Sequence, residues 1–403
     1  MSDSVDDVVR VERPATGGGV ARLSDGRVVF VRDSLPGELV SVDVTERTSS
    51  FARGSVRRVL EASPHRTPPP CRHAGAGGCG GCDLQHASSE AQQAWKRDVV
   101  AEQLRRISGI EWPLVVTSAT ASAMGSRTRL RCAVDADGRL ALRSARSHEL
   151  VAVEPCWLMS DRAAAAFETR WRNAVEVEVR AIGDGPPFAV VRINAGRSAR
   201  YEFSSITGSR LDPAPISRVE VRGVHYVVSP SSFWQSHVSA PAMLVERVMN
   251  LARVDRGDRV VDLFSGVGLF SVPLASSAGP TGEVVAVEVS PHAVRDARVN
   301  GEGHRALRVR RSSVTPELVA RLVGSRDVVV VDPPRAGLAR GVAVAIASAM
   351  PRRIVYVSCD AATFARDLKV FLSAGFSLSH LEILDLFPMT EHVELVSLLD
   401  FVP

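Results

Sequence analysis

The alternation of apolar and polar positions changes character along the chain. From residue 258 onward, DRVVDLFSGVG, GEVVAVEVS, RDVVVVDPP and IVYVSC are near-continuous apolar runs separated by stretches of helical spacing. Strands that are apolar throughout are covered on both faces. The pattern therefore predicts a mostly parallel, doubly wound α/β sheet of Rossmann-like type over residues 231–403. Residues 8–60 behave differently. Their short alternating runs are broken by Gly-Gly-Gly, Asp-Gly and Pro-Gly, which predicts about five short strands in a compact barrel of the OB type. A proline-rich linker, SPHRTPPP, follows at 63–70, then a Gly-rich loop with three cysteines at 71–86. A helix is expected over 88–108 with Ser88 or Ser89 as N-cap. Strand-like alternation fills 113–230 with a short helix near 160–173, and another helix is expected over 238–252. There is no internal repeat. Three domains result: a β-barrel over 1–62, a central α+β domain over 63–230 and the α/β domain over 231–403.

Composition narrows the setting. The 403 residues are 45% hydrophobic, ample for several cores. No run of about 18 uncharged apolar residues occurs, so no membrane-crossing helix is expected. The opening MSDSVDDVVRVERP is acidic and lacks the apolar core of a secretory signal, which points to the cytoplasm. The net charge of +4 excludes little, although every basic residue except Lys96 and Lys369 is arginine, a side chain suited to phosphate. Clustering says more. In SRTRLRC, Arg127, Arg129 and Arg131 alternate, so on a strand they share one face and form a row fit for a phosphate backbone. The competing reading is a solvated face paired to acids. Of the six cysteines, Cys71, Cys79, Cys82 and the distant Cys156 make a four-thiolate set suited to structural zinc or a 4Fe–4S cluster. Cys132 reads as core.

The chemistry concentrates where the predicted strands end. In VVDLFSGVG, Asp262, Gly266 and Gly268 follow a strand and precede a helix, and glycines there let a ligand approach the backbone. The third glycine of the dinucleotide fingerprint is missing, and so is the Lys-Ser/Thr of a phosphate loop. Glu288 ends the next strand, where an acid typically holds ribose hydroxyls. The pocket therefore suits S-adenosylmethionine or a nucleotide. The third strand ends in DPPRAG with Asp332, and the fourth ends in Cys359 at the start of a predicted helix, a position that favours thiolate. DLFPMTEHVELVSLL adds Glu391, His392 and Glu394, and the apolar strand after Glu394 makes it a candidate for a desolvated base.

DPPRAG, IVYVSCDAAT and DLFPMTEHVE, at this spacing, resemble the uracil-5 RNA methyltransferases, which make 5-methyluridine in transfer and ribosomal RNA. The resemblance spans almost the whole chain. It implies Cys359 as nucleophile and Glu394, rather than Glu391, as base. S-adenosylmethionine would contact Gln235 (in FWQS), Phe264, Gly266, Glu288 and Asp332. The barrel resembles a TRAM domain, an RNA-binding module whose basic residues here cluster at Arg53, Arg57 and Arg58. CGGCDLQH resembles the 4Fe–4S arrangement of the 23S ribosomal branch, which implies that cluster at Cys71, Cys79, Cys82 and Cys156, with zinc as the alternative. The expected partner is 23S ribosomal RNA, with the transfer RNA T loop as runner-up, and the expected state is a monomer. A non-catalytic RNA-binding iron–sulfur protein and a small-molecule methyltransferase are the competing classes. Four positions depart from the family pattern: Asp360 replaces Asn and would place a second carboxylate beside the thiolate, while Met389, His237 and Leu269 stand where polar residues or Asn are usual.

Overall fold

A computed structural model describes residues 7–75, 77–120, 122–195 and 198–401. The first six residues of the acidic opening lie outside the described residues. The chain divides into two compact units, neither continuous in sequence: Met1–Glu102, Leu140–Val153 and Phe387–His392 form one, and the remainder forms the other.

In the first unit, six strands form one sheet: β1 (Asp7–Arg10), β2 (Arg13–Ala15), β3 (Gly18–Arg22), β4 (Val28–Arg32), β5 (Leu39–Arg47) and β6 (Phe51–Glu61). Their order is β1-β5-β6-β4-β3-β2. The alternation seen in the sequence becomes an inward row of Val9, Val11, Ala21, Val29, Val31, Val40, Val42 and Ala52. Gly18 (φ 140°) approaches the backbone of Val31 so closely that a Cβ would lie 2.6 Å from its carbonyl oxygen, so no side chain fits there. The proline-rich stretch after the barrel is strapped down rather than loose. Buried Glu38 accepts from Arg66 Nε and an Arg66 terminal nitrogen (both 2.6 Å) and from the N–H groups of Leu35 (2.8 Å) and Ser63 (3.1 Å). Burial pushes the Glu38 pKa up, but Arg66 and the two N–H donors outweigh it and hold the carboxyl below its ordinary value. Helix α1 (Ser89–Gln103) is capped by Ser88, whose Oγ accepts from Ala91 N–H at 3.3 Å. Phe387–His392 docks in this unit. Its Met389 carbonyl accepts from the N–H groups of Asp83 and Leu84 (3.0 Å each), its Met389 N–H donates to Gln92 Oε1 (3.0 Å), and Lys96 Nζ donates to the Phe387 carbonyl (2.9 Å).

The second unit holds two sheets and a hairpin. An antiparallel sheet joins β7 (Arg129–Val134), β8 (Ala174–Arg180), β9 (Phe188–Ala195) and β10 (Ser198–Ser205). The hairpin β11 (Ser217–Val221) and β12 (Val224–Val228) leads to helix α2 (Ala240–Ala252). Then strands and helices alternate as the sequence predicts: β13 (Arg259–Leu263), α3 (Ser271–Ala278), β14 (Glu283–Glu288), α4 (Pro291–Asn300), β15 (Leu307–Arg311), α5 (Pro316–Leu322), β16 (Val328–Val331), α6 (Val342–Ser348), β17 (Arg353–Ser358), α7 (Ala361–Ser373), β18 (Phe376–Asp385) and β19 (Glu394–Phe401). The sheet order is β15-β14-β13-β16-β17-β19-β18, with Val116–Ser118 added at the β18 edge. The first five are parallel, and β19 runs antiparallel to β17. Val260, Val261 and Val328 to Val331 have no exposed surface, as parallel strands covered on both faces require. Strand order reverses between β13 and β16, and the crevice beyond the carboxyl ends of the strands at such a point is where open α/β sheets bind ligands.

Glu38→Ala should lower the unfolding free energy of the first unit by about 2–3 kcal/mol in urea titration. This is the low end for a broken buried pair, because the Arg66 side chain remains 22% exposed.

Candidate active site

Register brings Cys359 and Glu394 together. In the antiparallel β17–β19 pairing, Ser358 lies opposite Leu395, so the next step puts Cys359 across from Glu394. One strand over, Asp332 follows the last residue of β16. The three ends meet because β16, β17 and β19 are neighbours. Glu394 is 3% exposed. Burial, then the charge of Asp332, push its pKa well above the ordinary carboxylate range, while the Arg335 guanidinium pulls the other way. Burial likewise pushes Asp332 up to about 7. Cys359 is half-buried, and its thiol is pushed up to about 11, first by burial and then by Glu394, with Asp332 adding and Arg335 opposing. The thiolate expected from a helix N-terminus is therefore not the resting state. Desolvation and two acids outweigh the helix end. Asp360 is not what raises the thiol. Its carboxylate caps α7, accepting from Thr363 N–H at 2.8 Å, a task Asn performs equally well.

At the end of β13 the chain turns through Phe264 (φ 67°), Gly266 (φ 54°) and Gly268 (φ 88°). Glu288 ties this turn to the next one: its carboxylate accepts from Gly266 N–H (3.0 Å) and Ser290 N–H (2.7 Å). Asp262 is fully buried, with one oxygen bonded to Ser271 Oγ and the other without a partner. Burial drives its pKa up to about 7, with Asp332 and Glu288 adding and Ser271 opposing. Gln235 is half-buried in a loop pinned from both sides. Asp296 on α4 accepts from Ser229 N–H (2.8 Å) and Ser232 Oγ (2.6 Å), and Thr128 Oγ1 donates to the Ser236 carbonyl (3.1 Å). His237 is buried beside it; its Nδ1 accepts from Ser239 N–H (3.1 Å) and its Nε2 has no partner. Leu269 is core, and its carbonyl accepts from Tyr226 OH at 2.8 Å. Arg335 was given no role from sequence; a charge inside DPPRAG was the available signal.

A sequence profile described as tRNA (Uracil-5-)-methyltransferase matches residues 214–401, and the TRAM domain profile matches residues 8–56. An RNA methyltransferase of Streptomyces avermitilis is 36% identical, with 96% of each chain covered. A 23S rRNA (uracil(1939)-C(5))-methyltransferase of Halomonas elongata is 33% identical over 95% of this chain and 87% of its own. The chain belongs to the S-adenosylmethionine-dependent uracil-5 RNA methyltransferases. The crystal structure of the Pyrococcus abyssi tRNA (uracil-54, C5)-methyltransferase in complex with S-adenosyl-L-homocysteine shares the fold, with a TM-score of 0.70 at 24% identity and 97% and 100% of the two chains covered. The residues of this methyltransferase fit the donor. Asp262 Oδ1 and Ser265 Oγ are buried without partners, and the side of Gly266 where a Cβ would stand is open.

Cys71, Cys79, Cys82 and Cys156 are each partly exposed, whereas Cys132 is buried. Among the described residues, no group of three or more His, Cys, Asp or Glu side chains is close enough to hold a metal ion. The Gly-rich loop carries backbone hydrogen bonds from Cys79 N–H to the His73 carbonyl (2.8 Å) and from Gly80 N–H to the Arg143 carbonyl (3.0 Å). The expectation of an arginine row left to phosphate is corrected. Arg127 precedes β7, while Arg129 and Arg131 both turn to buried Glu178, at 2.7 and 2.9 Å, so that acid neutralises part of their charge. In the barrel, Arg53 lies over the rings of Phe30 (5.2 Å) and Phe51 (4.9 Å), whereas Arg57 and Arg58 are exposed. Glu391 is committed to the first unit, accepting from Gly17 N–H at 2.6 Å. No helix among the described residues is long and apolar enough to cross a membrane.

Iodoacetamide should alkylate Cys359 slowly at pH 7, with the rate rising tenfold per pH unit towards about 11. Glu394→Gln removes a negative neighbour and should move that midpoint down. Asp262 is neutral more readily folded than unfolded, so its stabilising contribution is full below its unfolded pKa of about 3.8 and is lost as pH rises through about 7. Asp262→Asn should therefore melt above wild type at pH 8 and lose that advantage at pH 4, measured by calorimetry without donor.

Proposed function

We propose that this methyltransferase transfers a methyl group from S-adenosylmethionine to carbon 5 of a uridine in 23S ribosomal RNA, through a transient bond between Cys359 and uracil carbon 6. The observation that carries the chemistry is the register that faces Cys359 with Glu394, with Asp332 on the adjoining strand end. Carbon 5 of uracil is a poor nucleophile. The Cys359 thiolate adds to carbon 6, and the electron pair of the ring double bond moves onto the enolate, which makes carbon 5 nucleophilic. A bound sulfonium donor supplies the electrophilic methyl group and a positive charge that favours the thiolate. Gln235, Phe264, Gly266, Glu288 and Asp332 hold it in this reading. Glu394 then takes the proton from carbon 5, the ring double bond re-forms and the thiolate leaves. Burial keeps Glu394 basic enough for that transfer. Arg335 favours the charged forms of both groups.

The ribosomal target is supported by relatives such as the Halomonas elongata enzyme, which align along nearly the whole chain. The runner-up, the transfer RNA T loop, is supported by the description of the matching profile. The target base must leave its stack to reach the thiol, which favours an unstacked or loop uridine.

Incubation with S-adenosylmethionine and 5-fluorouridine-substituted 23S RNA should leave a protein–RNA adduct that survives denaturing gel electrophoresis, because fluorine blocks the final proton removal. Cys359→Ala should abolish it, and Glu394→Gln should accumulate the adduct on ordinary RNA. An adduct only with transfer RNA would overturn the target. No adduct with either RNA would overturn the mechanism and favour a non-catalytic binding role.

A further inference from the structure

Resting on the reading of the substrate as RNA, we infer that Phe233, with Arg129 over its ring, is a stacking platform for a nucleotide of the RNA flanking the target uridine. Phe233 is 60% exposed, an unusual position for a large aromatic in a loop whose next residue, Trp234, is 4% exposed. The exposure is not slack. The loop begins at Ser229–Ser232, fixed by Asp296, and the Ser232 carbonyl accepts from Arg180 at 3.3 Å. The Arg129 guanidinium lies 5.7 Å from the Phe233 ring centroid. Glu178 holds that guanidinium, and also holds Arg131 and Arg180 (2.6 Å to Nε). A single buried carboxylate thus pre-orients three planar cations in place of a row left to phosphate.

The kind of partner follows from charge and shape. Arg131 and Glu178 are directly opposed on β7 and β8, as are Arg129 and Arg180, so all four share one face of that sheet. Three cations there meet two anions, buried Glu178 and the part-exposed Glu176 that lies 3.6 Å from Arg131, and the Arg131 side chain remains 59% exposed. An exposed ring beside a fixed guanidinium, on a face with surplus positive charge, suits a planar base attached to an anionic backbone. The ring stands two residues before Gln235, so a base stacked on it would belong to the RNA segment next to the reacting uridine.

The test compares wild type, Phe233→Ala and Phe233→Trp on an unmodified 23S ribosomal RNA transcript, or on a transfer RNA transcript if that is what wild type methylates. Phe233→Ala should raise the KM for RNA about tenfold or more, the effect of losing one stacked base. Phe233→Trp should restore it. The affinity of each variant for S-adenosylhomocysteine, by calorimetry, should stay within about twofold of wild type, which also reports that the fold is intact. An unchanged KM in Phe233→Ala would overturn the platform while leaving the methyltransferase reading in place. A fall in S-adenosylhomocysteine affinity matching the loss of activity would overturn it in favour of a cofactor contact. Failure of wild type to methylate either RNA would overturn the reading of the substrate, and the platform with it.

Discussion

The site depends on the reversal of strand order between β13 and β16. Because β14 and β15 extend the sheet to one side and β16, β17 and β19 to the other, the turns after β13 and β16 diverge and leave a crevice between them. Everything with chemical potential is strung along that edge in the order the strands impose: Glu288, then Asp262 and the Gly266 turn, then Asp332, Cys359 and Glu394. The apolar strands beneath are fully buried, so the edge residues are held by a rigid floor and need few contacts of their own.

Their proximity has an electrostatic consequence. Asp262, Asp332 and Glu394 all have raised pKa values, and each is raised partly or wholly by burial. With a high thiol pKa beside them, the resting site is arranged against the charges that the proposed reaction needs. The Arg335 guanidinium opposes this at both Cys359 and Glu394. A cationic donor would complete the balance, so chemistry would be coupled to occupancy of the site, and an empty site would be poorly reactive.

Much of the fold was legible in the sequence. Apolar runs ending in Asp-Leu-Phe-Ser-Gly, Asp-Pro-Pro and Ser-Cys-Asp located the strand ends, and the family resemblance implied Glu394 rather than Glu391 as the base. What was not legible lies across strands. Arg129 and Arg131 looked like a row because their partner, Glu178, is nearly fifty residues away in sequence and meets them only through the β7–β8 register. The strapping of the linker at 63–70 was not legible because Glu38, which holds it, sits in a turn of the barrel. The thiol looked activated because a helix end is visible in a sequence, whereas burial and the charges of two acids on other strands are not. Asp360 looked electrostatic and is a cap.

The return of Phe387–His392 to the first unit governs the order in which the protein can be built. Met389 bonds to Gln92 across 297 residues, and Phe387 to Lys96 across 291. During synthesis, domains generally fold as they emerge, the N-terminal ones first. Here the barrel and its helix leave the ribosome lacking a segment made 291 residues after Lys96. Buried Lys96 has to wait for its carbonyl until Phe387 has been made, and the backbone N–H groups of Asp83 and Leu84 wait for Met389. The residues that close the first unit are made immediately before Val393 and Glu394, so the closing of that unit and the arrival of the proposed base belong to the same moment of biogenesis.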